Sequence, residues 1–191
     1  MLYLASQSPR RRQLLEQLGY ACAVIDVDVH EARAPDESAQ SYVGRVAREK
    51  AGAGLMEVAA VPGAVVIAAD TEVVLDDRVF GKPENAETAA AMLRELSGRE
   101  HEVLTVVWVL SAGAEAQAFS RSRVRFKVID EREIAQYVAS GEALGKAGSY
   151  AIQGRAAAFI EHLEGSFSGV MGLPLFETAR LLDAHPALRP A

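Results

Sequence analysis

The chain contains 191 residues, half of them hydrophobic, which is enough to bury a substantial core and favours one domain over residues 1–191. The formal net charge of −6 disfavours a general nucleic-acid binder, so a polyanionic ligand would need a local basic pocket. Cys22 is the one cysteine, which excludes an internal disulfide and a cysteine-based zinc site. No apolar run approaches the roughly 20 residues that span a membrane, and no signal peptide is evident, so we expect a cytoplasmic protein without a membrane partner.

A short apolar strand followed by a helix is predicted at the N-terminus. Ser8 is a suitable N-cap for this helix, and Pro9 fits its first position. Arg10, Arg11 and Arg12 then fall in the first turn, where positive charge opposes the helix dipole. A bound phosphate would offset that cost, because helix N–H groups and guanidinium groups both favour anions. The alternative is a solvated basic turn, which we retain for Arg12.

The next two elements are a strand over 21–29, which leads to Glu31, and a helix from about Ala39 into the 52–54 region. Lys50 falls in the middle of the apolar stripe of that helix. A lysine that points inward needs a counter-charge, because burial of an unpaired ammonium group is costly. The alternative is that its stem extends to solvent near the helix end, and the pattern leaves both open.

The most strand-like run of the chain, 64–69, predicts a central strand that delivers Asp70 and Thr71 at its C-terminal end. Ligands bind at that end of the strands in α/β proteins, although an aspartate that caps a turn is the alternative. A hairpin over 73–80 then leads to Lys82 in a Gly-Lys-Pro turn. A lysine held in such a turn suits contact with a phosphate.

The remaining elements continue the alternation of strands and helices. They are, in order, a helix over 86–96, a strand over 102–110, a loose loop over 111–117, a strand over 119–128, a helix over 131–138 behind an Asp130–Glu133 capping box, a loop over 145–154, a strand over 157–163, a loop over 165–172, a last helix with Leu175, Phe176, Ala179 and Leu182 inward, and a frayed tail from His185. Because hairpins interrupt the alternation, we expect an α/β fold with a mixed sheet.

Gln153 lies in the predicted loop of small residues, 145–154. Its amide is able to read the edge of a base or to tie the loop together.

Most of the candidate catalytic and binding residues carry a charge. They are Arg10, Arg11, Lys50, Lys82, Glu31 and Asp70. This combination suits a phosphate ester with a divalent cation, and oxygen ligands favour Mg²⁺ or Mn²⁺. No Walker-type phosphate loop is present, which excludes a P-loop nucleotidase. The four histidines show no metal-binding spacing, so each is expected to be structural or exposed.

Short segments in a fixed order along nearly the whole chain resemble the Maf-type nucleoside triphosphate pyrophosphatases. The segments are 4–11, Glu31, 50–51, 69–71, 81–83, 97–101, 141–142, 146–150, 152–154 and 172–175. Each one is weak alone, and together they are specific. The resemblance implies an α/β fold related to the inosine-triphosphate pyrophosphatases, with a twisted mixed central sheet, flanking helices and a cleft between two lobes. It also implies a homodimer and cleavage between the α- and β-phosphates.

Within that family, the stretch 147–154 is similar to the branch that hydrolyses dTTP and UTP. The resemblance places Arg10, Thr71 and Gln153 at specificity positions and makes Asp70 the proton acceptor. It implies a house-cleaning role, with a possible link to cell-division arrest as a family property. The alternatives are a pyrophosphatase for 7-methyl-GTP or another modified nucleotide, and a non-catalytic cell-division regulator.

The expected mechanism is metal-assisted attack of water on the α-phosphorus. Asp70 orients or deprotonates the water, and Glu31 and Asp70 hold Mg²⁺ or Mn²⁺. Lys50 and Lys82 neutralise charge on the phosphates. The triphosphate is expected to contact Ser8, Arg10 and Arg11.

Two positions depart from the family pattern. Val106 stands where the family commonly has glycine, and we expect it to affect packing within its strand. Gly145 stands where an acidic residue is frequent, next to the loop that carries Gln153.

Overall fold

The computed structural model describes residues 1–185. Its strands are β1 (Leu2–Ala5), β2 (Ala23–Ile25), β3 (Val65–Leu75), β4 (Arg78–Phe80), β5 (Glu100–Ser111), β6 (Ala114–Phe126) and β7 (Ile160–Glu164). Its α-helices are α1 (Pro9–Gln17), α2 (Ala39–Glu57), α3 (Ala86–Leu96), α4 (Glu131–Ala139), α5 (Phe167–Met171) and α6 (Leu175–Ala184). Of the predicted frayed tail, His185 is instead buried, and residues 186–191 lie outside the described residues.

The strands form one mixed sheet in the order β2-β1-β3-β5-β6-β7, and β4 pairs with the far end of β3. β1 is parallel to both β2 and β3, whereas β3, β5, β6 and β7 form an antiparallel series. The predicted α/β fold with a mixed central sheet and flanking helices is confirmed.

β3 is longer than predicted, and Asp70 lies in its middle rather than at its end. The prediction of a strand end was wrong because the apolar pattern resumes after the polar residues, and β5 pairs with β3 from Val65 to Val74. On the other side, β1 pairs only with residues 65–67 and β4 only with 73–75. Within the described residues, the edge at 68–72 therefore has no strand partner, and the functional side chains lie at that gap.

Several boundaries differ from the predictions. The strand over 21–29 shortens to β2, and the predicted loose loop over 111–117 is a tight turn at 112–113, so that β6 begins at Ala114. A 3-10 turn over 155–159 precedes β7, and the predicted loop 165–172 contains α5. α2 continues beyond the glycines to Glu57. Gly54 within it allows close approach to the sheet, since a Cβ there would lie 2.9 Å from that of Ala5.

The helices cover both faces of the sheet. On one face α2 packs against β3 and β5 with buried Val43 and Val46, and Val106 is buried in the same cluster, as its predicted effect on packing requires. On the other face, Leu15 of α1 and Leu182 of α6 share a cluster with β1. The prediction that Phe176 faces inward was wrong: it is 70% exposed, because α6 buries the row of Thr178 and Leu182 instead. Among the described residues, no helix combines the length and apolar character needed to span a membrane.

Candidate active site

A cavity of about 490 Å³ lies between the β1–α1 turn, the middle of β3 and the loop 145–153. The structure brings together at this cavity every site residue predicted from the sequence: Ser8, Arg10, Arg11, Glu31, Lys50, Asp70, Thr71, Lys82 and Gln153. The predicted cleft is thus present, and its walls come from segments far apart in the chain.

Lys50 lies at the centre of an ion-pair network in this cavity. Its Nζ atom is 2.7 Å from Asp70 Oδ1 and 2.6 Å from Glu31 Oε1. The Nζ atom of Lys82 donates to the other Glu31 oxygen, Oε2, at 3.1 Å. Lys50 is only 9% exposed, so the inward position with counter-charges is confirmed and the alternative of a solvated ammonium was wrong. Burial opposes ionisation of Glu31, but the hydrogen bonds and charges of Lys50 and Lys82 outweigh it and lower the pKa of that carboxyl.

Two carboxylates retain an oxygen without a hydrogen bond. Asp70 is 5% exposed, and its Oδ2 atom is buried without a partner. Glu72, two residues further along β3, is 7% exposed, and its Oε2 atom is also buried without a partner. Burial, followed by the negative charges of Asp70 and Glu31, raises the pKa of Glu72 to about 8.

Glu72 was not predicted as a site residue. The available signal was a charged side chain two positions after Asp70, and therefore on the same face of a strand. The strand predicted from the sequence ends at residue 69, so its alternation does not extend to Glu72.

Arg11 is fixed by three hydrogen bonds to neutral oxygens. Its Nε atom donates to the Gly172 carbonyl at 2.8 Å, Nη1 donates to Ser6 Oγ at 3.3 Å, and Nη2 donates to Thr71 Oγ1 at 3.3 Å. Arg11 therefore joins the β1–α1 turn to β3 and to the segment after α5.

Thr105 extends this network and was also missed from the sequence. Its hydroxyl donates to the Gly169 carbonyl at 2.8 Å, so the Thr71 hydroxyl donates to Thr105 Oγ1 at 2.9 Å. The two threonines are direct partners across β3 and β5. That register is set by long-range pairing, which no local motif reveals.

The first turn of α1 has the predicted boundary. The helix begins at Pro9 with Ser8 at the N-cap position, as expected, although the Ser8 side chain forms no capping hydrogen bond. Ser8 instead donates its backbone N–H to Ser6 Oγ at 3.2 Å. Arg10 is half-buried with an unpartnered Nε atom, and burial together with the charge of Arg11 lowers its pKa. Arg12 is exposed and pairs with Glu16 on the helix surface, as its solvated interpretation requires.

The loop that carries Gln153 is anchored on three sides. Gly148 adopts φ +64° against Val73, and its N–H donates to the Gly81 carbonyl at 3.2 Å. The Ala151 N–H donates to the Tyr137 hydroxyl at 3.1 Å. Gln153 itself is exposed at the cavity wall, where its amide is free to contact a ligand. The departure at Gly145 has a local reason, because this residue also adopts a left-handed backbone, with φ +67°.

The described residues, 1–185, contain no group of three or more His, Cys, Asp or Glu side chains arranged to hold a metal ion. His30 and His162 are exposed, while His101 and His185 are buried.

Comparison with known proteins supports a family assignment. The family described as "Maf-like protein" matches residues 1–185. The chain belongs to the Maf family. Among curated relatives, this Maf protein is 58% identical over 189 residues to the "dTTP/UTP pyrophosphatase" of Xanthomonas axonopodis pv. citri (strain 306), covering 98% of this chain and 100% of the relative.

Other comparisons give related results. The Maf protein is 55% identical over 183 residues to the "Nucleoside triphosphate pyrophosphatase" of Xylella fastidiosa (strain 9a5c), covering 95% of this chain and 97% of the relative. Among solved structures, it resembles the Ham1 protein of Staphylococcus aureus, with a TM-score of 0.41, 13% identity, and coverage of 65% of this chain and 71% of that chain.

Proposed function

We propose that this Maf protein hydrolyses dTTP and UTP to the nucleoside monophosphate and pyrophosphate. The names of its full-length relatives support this substrate class. The observation that carries the proposal is the buried Lys50, held between Glu31 and Asp70 in a cleft that Lys82 and Arg10 also line. Such a site offers positive charge for a triphosphate and a carboxylate for proton transfer in one cavity.

Asp70 is proposed to accept the proton from the attacking water. Lys50 fixes its Oδ1 atom, which leaves Oδ2 as the oxygen without a hydrogen bond. The water oxygen forms a bond to the α-phosphorus, its proton passes to Asp70 Oδ2, and the bond from the α-phosphorus to the bridging oxygen breaks. Pyrophosphate then leaves with that oxygen.

The cations of the cleft have two proposed roles: some contact the phosphates, and others shape the substrate pocket. Lys82 has a side chain that is 60% exposed, and Arg10 has an unpartnered Nε atom, so both are available to phosphate oxygens. Ser8 lies next to them in the cavity wall. Arg11 and Thr71 bond to each other, and we assign them to the shape of the substrate pocket.

A divalent cation, Mg²⁺ or Mn²⁺, is part of the proposal. Unpartnered carboxylate oxygens are suitable ligands for these ions, and the cavity contains them. When bound, the cation would neutralise phosphate charge and polarise the reacting phosphoryl group. Of the predicted ligands, Glu31 has both oxygens on lysines, and the one free oxygen of Asp70 is the oxygen assigned above to proton transfer.

Pyrophosphate release from a nucleotide panel tests the function. With Mg²⁺ or Mn²⁺ present, we expect turnover of UTP and dTTP to exceed that of 7-methyl-GTP and ATP. Preference for 7-methyl-GTP would support the alternative of a pyrophosphatase for a modified nucleotide. Absence of turnover with every triphosphate would support the alternative of a non-catalytic regulator.

Gln153 provides a test of base selection. An amide pairs with the carbonyl and imide N–H groups of uracil or thymine, so Gln153→Ala should raise KM for UTP by about tenfold with little change in kcat. Gln117→Ala, on the distant strand β6, is the matched control. Equal KM values for wild type and Gln153→Ala would remove Gln153 from this role.

Location and assembly are further proposals. We propose a cytoplasmic enzyme that acts as a homodimer and has no nucleic-acid partner, the last supported by the net charge of −6. Light scattering on the purified chain would measure its oligomeric state.

A further inference from the structure

Glu72 occupies a position that is unfavourable for a carboxylate in the protein alone. On the same face of β3 its nearest neighbours are the buried carboxylate of Asp70 and the buried apolar side chain of Val74. It is 7% exposed, and within the described residues no hydrogen bond or salt bridge reaches its carboxylate. Burial of an ionised carboxylate without a partner is costly, and the described residues provide no partner that would offset this cost for Glu72.

Among the described residues, no nearby cation forms a hydrogen bond or a salt bridge with Glu72. Lys50 pairs with Asp70 and Glu31, and Lys82 pairs with Glu31. The Arg11 guanidinium donates to neutral oxygens. Three carboxylates thus share this end of the cavity with two lysines that are already paired.

The three carboxylates differ in how many oxygens remain without a hydrogen bond and are therefore available to a further ligand. Both oxygens of Glu31 accept from lysines, and Asp70 has one oxygen on Lys50 and one without a partner. Glu72 alone of the three makes no hydrogen bond, and it lines the same cavity. Its side chain follows Asp70 at a Cα spacing of about 6.6 Å along the strand, so the two carboxylates are close enough to contact one ligand.

We propose that Glu72 is the carboxylate that binds the divalent cation accompanying the nucleotide, and that Asp70 is thereby left for proton transfer. The proposal rests on the proposed pyrophosphatase function. Mg²⁺ is commonly held by one or two carboxylates together with substrate phosphates and waters. The described residues do not form a complete metal site by themselves. One or two of these carboxylates together with the phosphates of the nucleotide would complete it.

The test measures Mn²⁺ binding rather than turnover. Mn²⁺ is titrated against the full chain in the presence of α,β-imido-UTP, which is not cleaved at the reacting bond, and free Mn²⁺ is followed by electron paramagnetic resonance. Glu72→Gln should weaken Mn²⁺ binding by about tenfold or more, as should Glu72→Met, which fills the site without an oxygen. Asp70→Asn should change Mn²⁺ affinity by less than about threefold while it abolishes turnover.

Two controls make the outcome specific. Glu164→Gln removes an exposed carboxylate on β7 and should leave Mn²⁺ binding unchanged. Thermal melting without metal should show that Glu72→Gln is folded and at least as stable as wild type, because it removes a carboxyl group whose ionisation is opposed by burial.

Two results would overturn the inference while wild-type turnover still upheld the proposed function. One is wild-type Mn²⁺ affinity in both Glu72 variants, and the other is a loss in Asp70→Asn as large as that in Glu72→Gln. Failure of the proposed function would be seen separately, as a wild-type protein that releases no pyrophosphate from any triphosphate.

Discussion

Lys50 determines the arrangement of the acidic side chains at the scale of single residues. Lys50 lies on α2 and bonds to Asp70 on β3 and to Glu31 in the loop before α2, so that two carboxylates from different segments converge on one ammonium group. This pairing accounts for a lysine in the middle of an apolar helix stripe. It also orients Asp70 such that one oxygen faces lysine and the other remains without a hydrogen bond.

Removal of the Lys50 charge should affect stability as well as turnover. Lys50→Met leaves Asp70 buried without its counter-charge, and we expect unfolding free energy to fall by about 3 kcal/mol. Lys82→Met is the matched control, since Lys82 is 60% exposed and its pair with Glu31 should contribute less than about 1 kcal/mol. Urea denaturation at pH 7 measures both. Equal losses of unfolding free energy in the two variants would contradict the expectation that the buried ion pairs of Lys50 stabilise the fold more than the exposed pair of Lys82.

His101 should make the fold sensitive to acid. It is 2% exposed beside the Tyr150 hydroxyl, and burial lowers its pKa to about 4 from 6.5. The unfolded chain therefore binds this proton between pH 6.5 and 4 while the folded chain does not, so stability rises with pH across that range. The contribution is complete above pH 6.5 and is lost as pH falls towards 4, by about 2 kcal/mol at pH 4.5.

The comparison of two histidine variants checks this prediction. In His101→Gln the difference in unfolding free energy between pH 7 and pH 4.5 should be smaller than in wild type, by about the same 2 kcal/mol. His162→Gln, at an exposed position, should retain the wild-type difference. If all three proteins show one pH slope, another group is responsible.

At the scale of elements, the loop 145–153 depends on glycine conformations that carry Gln153 to the cavity. Gly145 and Gly148 both adopt positive φ, but a Cβ on Gly148 would lie 2.8 Å from Val73 whereas one on Gly145 would meet nothing within 4 Å. We expect Gly145→Ala to cost about 1 kcal/mol through backbone strain alone. Gly148→Ala should cost about 3 kcal/mol, because overpacking is added to that strain. Thermal melting of the pair measures the difference, and similar melting temperatures would show that Val73 yields to the added methyl group.

Local sequence patterns predict secondary structure well where neighbouring residues alone determine it. The Asp130–Glu133 capping box is present as expected, and the hairpin over 73–80 forms with Asp76 and Asp77 in its turn. β3 was misjudged because polar residues inside a strand resemble a strand end when neighbouring strands are unknown. β1 and β4 leave its edge open at 68–72, and only the assembled sheet shows that gap.

At the scale of the whole molecule, the cleft collects side chains from distant segments, and prediction from sequence succeeded where residue types were chemically distinctive. Arginine at a helix start, lysine in an apolar stripe and aspartate after an apolar run all indicated the site. Thr105 was missed because its role follows from its register opposite Thr71, which is a property of the sheet. Glu72 was missed because its burial, and not its identity, makes it unusual.

The central claim is that Asp70 performs proton transfer in the hydrolysis of a pyrimidine triphosphate. The most direct measurement is pyrophosphate formation from UTP by wild type and by Asp70→Asn, with the fold of both checked by circular dichroism. We expect wild type to form UMP and pyrophosphate in equal amounts and Asp70→Asn to lose at least about 100-fold in kcat with its fold intact. Wild-type turnover in a folded Asp70→Asn protein would contradict the account.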